Sequence, residues 1–124
     1  MNFKPELAAK VMAGEKTVTR RLMSKNPRSP WAITGCRLRR GGSYAVCPGR
    51  GKHAIGRVRV TSILPVALGH LGDEEARREG FADAREFEEG FAAINGSYDP
   101  VLWVWRIGFE VDTDERGGGS DEIR

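Results

Sequence analysis

From Leu102 to Val111 the chain alternates. Trp103, Trp105, Ile107, Phe109 and Val111 occupy one set of positions, and Leu102, Val104, Arg106 and Glu110 the other. A period of two places successive side chains on opposite faces of an extended strand, and no helix buries such a pattern. This is the clearest periodic signal in the sequence. It predicts a central strand, buried on one face and on both near its start, with Trp103 and Trp105 in the core. A central strand needs partners on both sides, so the remaining elements must include further strands.

Two more segments supply them. Arg37 to Cys47, interrupted by Gly41-Gly42, and Ile55 to Leu64 are strand-like and joined through the glycine-rich stretch Pro48 to His53. Within the second, Val58 and Val60 alternate with Arg57 and Arg59, which sends one face to a core and the other to solvent or a ligand. Thr17 to Leu22 is β-branched and too polar for a buried helix, so it reads as a short strand after a turn at Gly14-Glu15. Residues 24–35 carry Asn26-Pro27 and Ser29-Pro30 and read as a loop with Trp31 as its large anchor.

Helices punctuate the rest. Pro5 suits a first helical position, and Leu7, Ala8, Val11 and Met12 form an apolar stripe before Gly14, so a helix covers about Lys4 to Ala13. Gly72-Asp73 opens a short acidic helix that stops at Gly80, with Glu79 in its last turn. A further helix begins at Asp83, with Glu86 three residues on as a capping-box variant. It carries Phe87, Phe91 and Ile94 as a core stripe and ends at Gly96. The mixture is α+β. Asp112 to Arg124 has little to bury and a Gly/Ser centre, and reads as a flexible acidic tail. The folded domain is therefore 1–111.

Charge is distributed unevenly. Residues 1–59 hold 14 Lys and Arg against 2 acids, and residues 60–124 hold 6 against 15. A surface that keeps this segregation attracts polyanions on one side, which makes nucleic acid the leading partner class. Packing that interleaves the halves removes the asymmetry. The opening residues Met1 to Pro5 lack a secretory h-region, and no apolar run approaches the roughly 20 residues that span a bilayer. A cytoplasmic chain without membrane contact is the expectation.

Several chemistries fail on spacing. Cys36, Cys47, His53 and His70 contain no close ligand pair such as C-x₂-C, so neither a metal nor a disulfide framework is expected. Gly49-Arg50-Gly51-Lys52 lacks the length and following helix of a P-loop, and no Rossmann glycine motif occurs. No cofactor is expected.

The segment Gly14-Glu15-Lys16-Thr17-Val18-Thr19-Arg20-Arg21, taken with Glu79-Gly80-Phe81, resembles the ASCH family. That family is related to the PUA RNA-binding barrel of pseudouridine synthases and archaeosine transglycosylases. The likeness extends over residues 1–111 in the order of its pieces: Phe3 and Pro5 before the opening helix, Gly35, the basic-faced strand, and the terminal Trp/Val/Ile/Phe strand. It implies a small PUA-like β-barrel with flanking helices and a cleft lined by the first motif. Among relatives, the small bacterial N4-acetylcytidine amidohydrolases use a Lys, a Thr three residues later and a distant Glu, and by resemblance these fall on Lys16, Thr19 and Glu79.

The implied chemistry is acyl transfer to the Thr19 hydroxyl or to water, with Lys16 as base or as oxyanion stabiliser and Glu79 as proton shuttle. A carboxylate in a last helical turn faces the negative end of the macrodipole, which suits acid/base work; a nearby cation opposes this. Residues three apart on a strand face opposite ways, so Lys16 must precede the strand that carries Thr17, Thr19 and Arg21 on one face. Thr17, Arg20 and Arg21 are expected to line the cleft. Trp31, Arg37, Arg39, Arg50, Lys52, Arg57 and Arg59 form a candidate surface for phosphates and a stacked base.

Each feature has a plain structural meaning too. Such threonines express β-propensity, Glu79 can be an exposed paired acid, and the basic strand a solvated face. Two functions follow: an amidohydrolase on an N-acylated cytosine nucleoside or nucleotide, and a non-catalytic module binding RNA or modified nucleic acid. A ribonuclease ranks third, because no His stands in a motif. The longer excursion at 23–35 and the basic hairpin at 48–54 fit a polymeric substrate.

Overall fold

A computed structural model describes residues 1–113. In chain order it has α1 (Pro5–Met12), β1 (Val18–Leu22), β2 (Ser43–Val46), β3 (Gly56–Ala67), α2 (Asp73–Arg78), α3 (Ala84–Asn95) and β4 (Trp103–Val111). The strands form one antiparallel sheet in the order β1-β4-β3-β2. The alternating segment is thus central, as its pattern requires. Residues 114–124, most of the expected tail, lie outside the described residues. Asp112, the first residue assigned to it, donates its N–H to Arg57 O at 2.9 Å, and its carboxylate is bound by Ser43 and Arg59.

The two sheet faces carry separate cores. On one, Phe3, Leu7, Ala8 and Val11 from α1 and its lead-in pack against Val58, Val60, Ile107 and Phe109. On the other, Ala76 of α2 and Phe87 and Phe91 of α3 meet Val104 and Leu68. Ile107 and Val104 are three apart on β4, so they reach opposite faces, which is why that strand is apolar at both sets of positions. Among the described residues no helix is long and apolar enough to cross a membrane.

The sheet does not close into the expected barrel. Groups from outside the sheet bond to both of its edges. At β2, the lead-in to α1 makes a parallel bridge from Asn2 to Cys47, with Phe3 N donating to Cys47 O at 3.0 Å. At β1, the Lys16 side chain takes Val18 O at 2.8 Å. Four strands are too few to curl round on themselves.

Four local expectations also need correction. Arg37 to Gly42 is not strand, because the chain turns at Gly41, whose φ of +87° suits glycine and whose N–H reaches Val60 O at 2.7 Å. β3 instead runs on past Leu64, through Pro65, to Ala67, because β4 continues to offer partners as far as Trp103. Trp103 is 57% exposed, since it sits on the α1-side face at the end of the strand, beyond what α1 covers. Ile94 is 52% exposed, for a reason that appears with the site.

Candidate functional site

Taken as whole residues, the buried polar and charged ones among the described residues are Lys16, Thr19 and Glu79, and the side chains of Arg20 and Asp112 are also little exposed. The first three line one cavity of about 590 Å³. Burying such groups is unfavourable unless they are paired, and a fold that needed only packing would place apolar residues there.

Local sequence explains each placement. Lys16 precedes β1 and its stem folds back along the strand edge, donating to Val18 O at 2.8 Å, Glu79 O at 2.6 Å and Glu79 Oε1 at 3.2 Å. Glu79 caps α2 at its C-terminus, where Gly80 at φ +97° reverses the chain. A Cβ on Gly80 would lie 3.3 Å from the Lys16 stem, so glycine serves both the backbone and the approach of the lysine. Glu79 Oε2 in turn accepts from Arg20 at 2.8 Å. Thr19 Oγ1 accepts from Arg21 Nε at 3.2 Å.

The cavity is open to both faces of β1 because β1 is an edge strand, so its alternate residues both reach it. On the Thr19 side, the Arg21 guanidinium lies 4.9 Å from the Phe3 ring centroid and 5.2 Å from that of Trp31. This is a stacked cation between two aromatic rings. On the Arg20 side stand Leu22, Phe81, Phe87, Phe91 and Ile94. Ile94 is exposed because the α3 stripe ends between this cavity and a second one lined by Lys4, Lys10, Glu86 and Glu89.

Electrostatics follow from burial. Burial pulls the Lys16 ammonium below its ordinary 10.5, and the charge and hydrogen bond of Glu79 oppose this without overcoming it. Burial likewise lowers Arg21 to about 10, which leaves it a cation at neutral pH. Lys4, Lys16, Arg20, Arg21 and Arg50 surround the single acid Glu79, so the cavity attracts electron-rich or anionic groups. The Arg20 Nε is buried with no hydrogen-bond partner among the described residues.

The other residues singled out from sequence divide in two. Arg20, Arg21, Trp31 and Arg50 line the cavity with the buried trio. Thr17, Arg37, Arg39, Lys52, Arg57 and Arg59 do not. Thr17 is half-buried and its main chain bonds Arg78 O at 2.8 Å, joining β1 to α2. Arg37 donates to Pro27 O at 2.6 Å, and Arg39 and Lys52 are exposed. Arg57 is tied to Ser43 and Arg59 to Gly41 O and Asp112, so these guanidinium groups brace the β2–β3 pair. The apolar wall was missed from sequence, because a stripe at helical spacing signals burial against protein and against a cavity alike. Ion pairs from Glu75 to Arg20 and Arg106 were missed as well. The described residues contain no cluster of His, Cys, Asp and Glu able to hold a metal.

No family profile matches the chain, and no curated protein matches it. Solved structures do. An ASCH domain from Lactobacillus crispatus JV V101 superposes with a TM-score of 0.66 at 15% identity, over 85% of this chain and 69% of that one. A DUF984 protein from Enterococcus faecalis V583 superposes with a TM-score of 0.54 at 19% identity, over the same 85% and 69%. The chain therefore has an ASCH-like fold.

Proposed function

We propose that this ASCH-fold chain is an amidohydrolase acting on an N-acylated cytosine nucleoside or nucleotide, with Lys16, Thr19 and Glu79 as its working groups. One observation carries the reading: those three are at most 5% exposed and line the same cavity. Buried titratable groups brought together beside a hydroxyl in a recess form the kind of constellation that acid, base and nucleophile chemistry requires.

The substrate base stacks along the Arg21 side, with the acyl carbonyl towards Thr19. Lys16 holds the Glu79 carboxylate at 3.2 Å, and burial weakens the ammonium's hold on its own proton, which favours donation to the substrate carbonyl oxygen. The Glu79 carboxylate takes the proton of the nucleophile, the Thr19 hydroxyl or a water, as that oxygen bonds to the carbonyl carbon. The Arg20 and Arg21 cations face the developing oxyanion. Collapse of the tetrahedral intermediate breaks the carbon–nitrogen bond, and the departing cytosine amine receives the proton held by Glu79. If Thr19 is the nucleophile, a water then releases its ester; the net products are a carboxylic acid and the cytosine compound.

A base-binding module without catalysis is the second reading, with RNA as the favoured partner. It is supported by the resting geometry of Lys16, whose three hydrogen bonds already occupy the ammonium. The deciding experiment is incubation with N4-acetylcytidine, followed by chromatography for cytidine, with Lys16→Ala, Thr19→Ala and Glu79→Ala alongside and circular dichroism to check folding. Turnover in the native protein that falls at least about a hundredfold in each folded variant is the expected result. No turnover, together with salt-sensitive RNA binding that Arg50→Ala weakens, would establish the second reading instead.

A further inference from the structure

We propose that Lys4 and Arg50 form a site for one phosphate monoester at the rim of this cavity, so that the compound it takes is a nucleotide and not the uncharged nucleoside. This names the substrate class of the amidohydrolase reading above and rests on that reading for the base. Two segments far apart in the chain supply the cations. The parallel bridge from Asn2 to Cys47 holds the lead-in of α1 against the turn that follows β2. Lys4, Gly49 and Arg50 thereby all line the cavity. Gly49 and Gly51, at φ +139° and +77°, flank Arg50 in conformations that other residues resist, so the turn is built to present that guanidinium.

Both cations are left without a counter-ion. Glu79 is the acid of the cavity lining, and Lys16 and Arg20 already bind it. Arg20 is held by Glu75 as well, and Arg21 donates to Thr19 Oγ1 and Asn2 O. Among the described residues no hydrogen bond or ion pair involves the side chain of Lys4 or Arg50, and both residues are exposed. Lys4 also borders the second cavity, but Glu86 there is engaged by Ala82 N and Glu89 by Arg85, and Lys4 pairs with neither. Unpaired cations gathered at one rim favour an anion, and a phosphate monoester has the charge and the acceptor oxygens for two of them.

The orientation of the substrate agrees. On cytosine the acylated amine and the ribose leave opposite ends of the ring. With the acyl carbonyl towards Thr19 the sugar therefore projects away from the reacting groups, and Arg21, along which the base stacks, is bonded to Asn2, two residues from Lys4. A polymer needs a longer track of free cations. Arg57 and Arg59 are instead tied to Ser43, Gly41 and Asp112, which favours one phosphate over a chain of them.

The test measures kcat/KM for N4-acetylcytidine and its 5′-monophosphate, and the Kd of cytidine and cytidine 5′-monophosphate by calorimetry, with the native protein, Lys4→Gln and Arg50→Gln. Exposed side chains without partners tolerate both changes. The monophosphate is expected to exceed the nucleoside by about tenfold or more in both measurements at low salt, and each variant to cut that ratio at least about threefold. Equal cleavage of the two compounds, or a preference that neither variant lowers, would overturn the phosphate site and leave the hydrolase standing. Cleavage of neither, with the monophosphate still bound more tightly through Lys4 and Arg50, would remove the hydrolase and uphold the site. Neither cleavage nor preferential binding would remove both. A cytidine-rich RNA hexamer bound more tightly than the monophosphate would overturn the single-phosphate site in favour of RNA.

Discussion

Lys16 and Glu79 form an ion pair at 3.2 Å with side chains only 2% and 3% exposed. At that depth the loss of hydration is comparable with the attraction, so the pair holds together because its members satisfy each other and not because it adds much net stability. Removing one partner is therefore expected to cost more than removing both. Glu79→Leu leaves the Lys16 ammonium buried against carbonyls alone and should lose about 3 kcal/mol; the double variant Lys16→Met/Glu79→Leu should recover a large part of it. Urea unfolding of the two single variants and the double one checks this, and strictly additive losses would refute it. Of these residues, sequence spacing indicated that Lys16 precedes the strand, because a three-residue step from Thr19 cannot share its face. The contact of Lys16 with Glu79 spans 63 positions, and no local rule reaches that far.

At the scale of elements, α3 does two jobs. Asp83 accepts from Glu86 N at 2.9 Å, and Glu86 Oε1 accepts from Ala82 N at 2.9 Å, a reciprocal cap one residue wider than the usual box. That cap sets where the helix starts and so where Phe87, Phe91 and Ile94 stand as the cavity wall. Asp83→Ala is expected to cost about 1 kcal/mol in urea unfolding and to speed amide exchange in the first turn of α3. Unchanged stability would mean that tertiary packing alone fixes the helix. The cap and stripe were legible in the sequence because each depends on neighbours within a turn. The exposure of Ile94 was not, because it depends on how far α3 projects past the sheet. The same holds for β2, whose glycine break was visible but whose start at Ser43 is set by pairing with Arg59.

Across the whole molecule, the basic first half and the acidic second half meet at Glu75 and Glu79. Arg20 of β1 and Arg106 of β4 are cross-strand partners of like charge, and Glu75 from α2 binds both at 2.7 Å. Part of the charge asymmetry is thus consumed in joining the halves, and part is left at the cavity as Lys4, Arg21 and Arg50. Hydrogen bonds from Arg106, then from Arg20 and Arg78, hold the Glu75 carboxylate down to about 2 from the ordinary 4.5, against the effect of its burial. A carboxylate depressed on folding stabilises above the unfolded chain's 4.5, and that contribution is lost as pH falls towards about 2. The native protein is expected to lose stability through this window more steeply than Glu75→Gln, as read from urea midpoints between those pH values; parallel curves for the two would contradict the linkage. What the sequence alone determined was every element whose cause is local: the periods of two and 3.6, the caps, the glycine stops, and which residues carry charge. Only the tertiary structure decided that the sheet stays open, that β1 lies at its edge, and that a lysine, a threonine and a distant glutamate share one recess. Those outcomes depend on which strands pair and on which helix packs beside β1, and these are interactions between segments far apart in the chain.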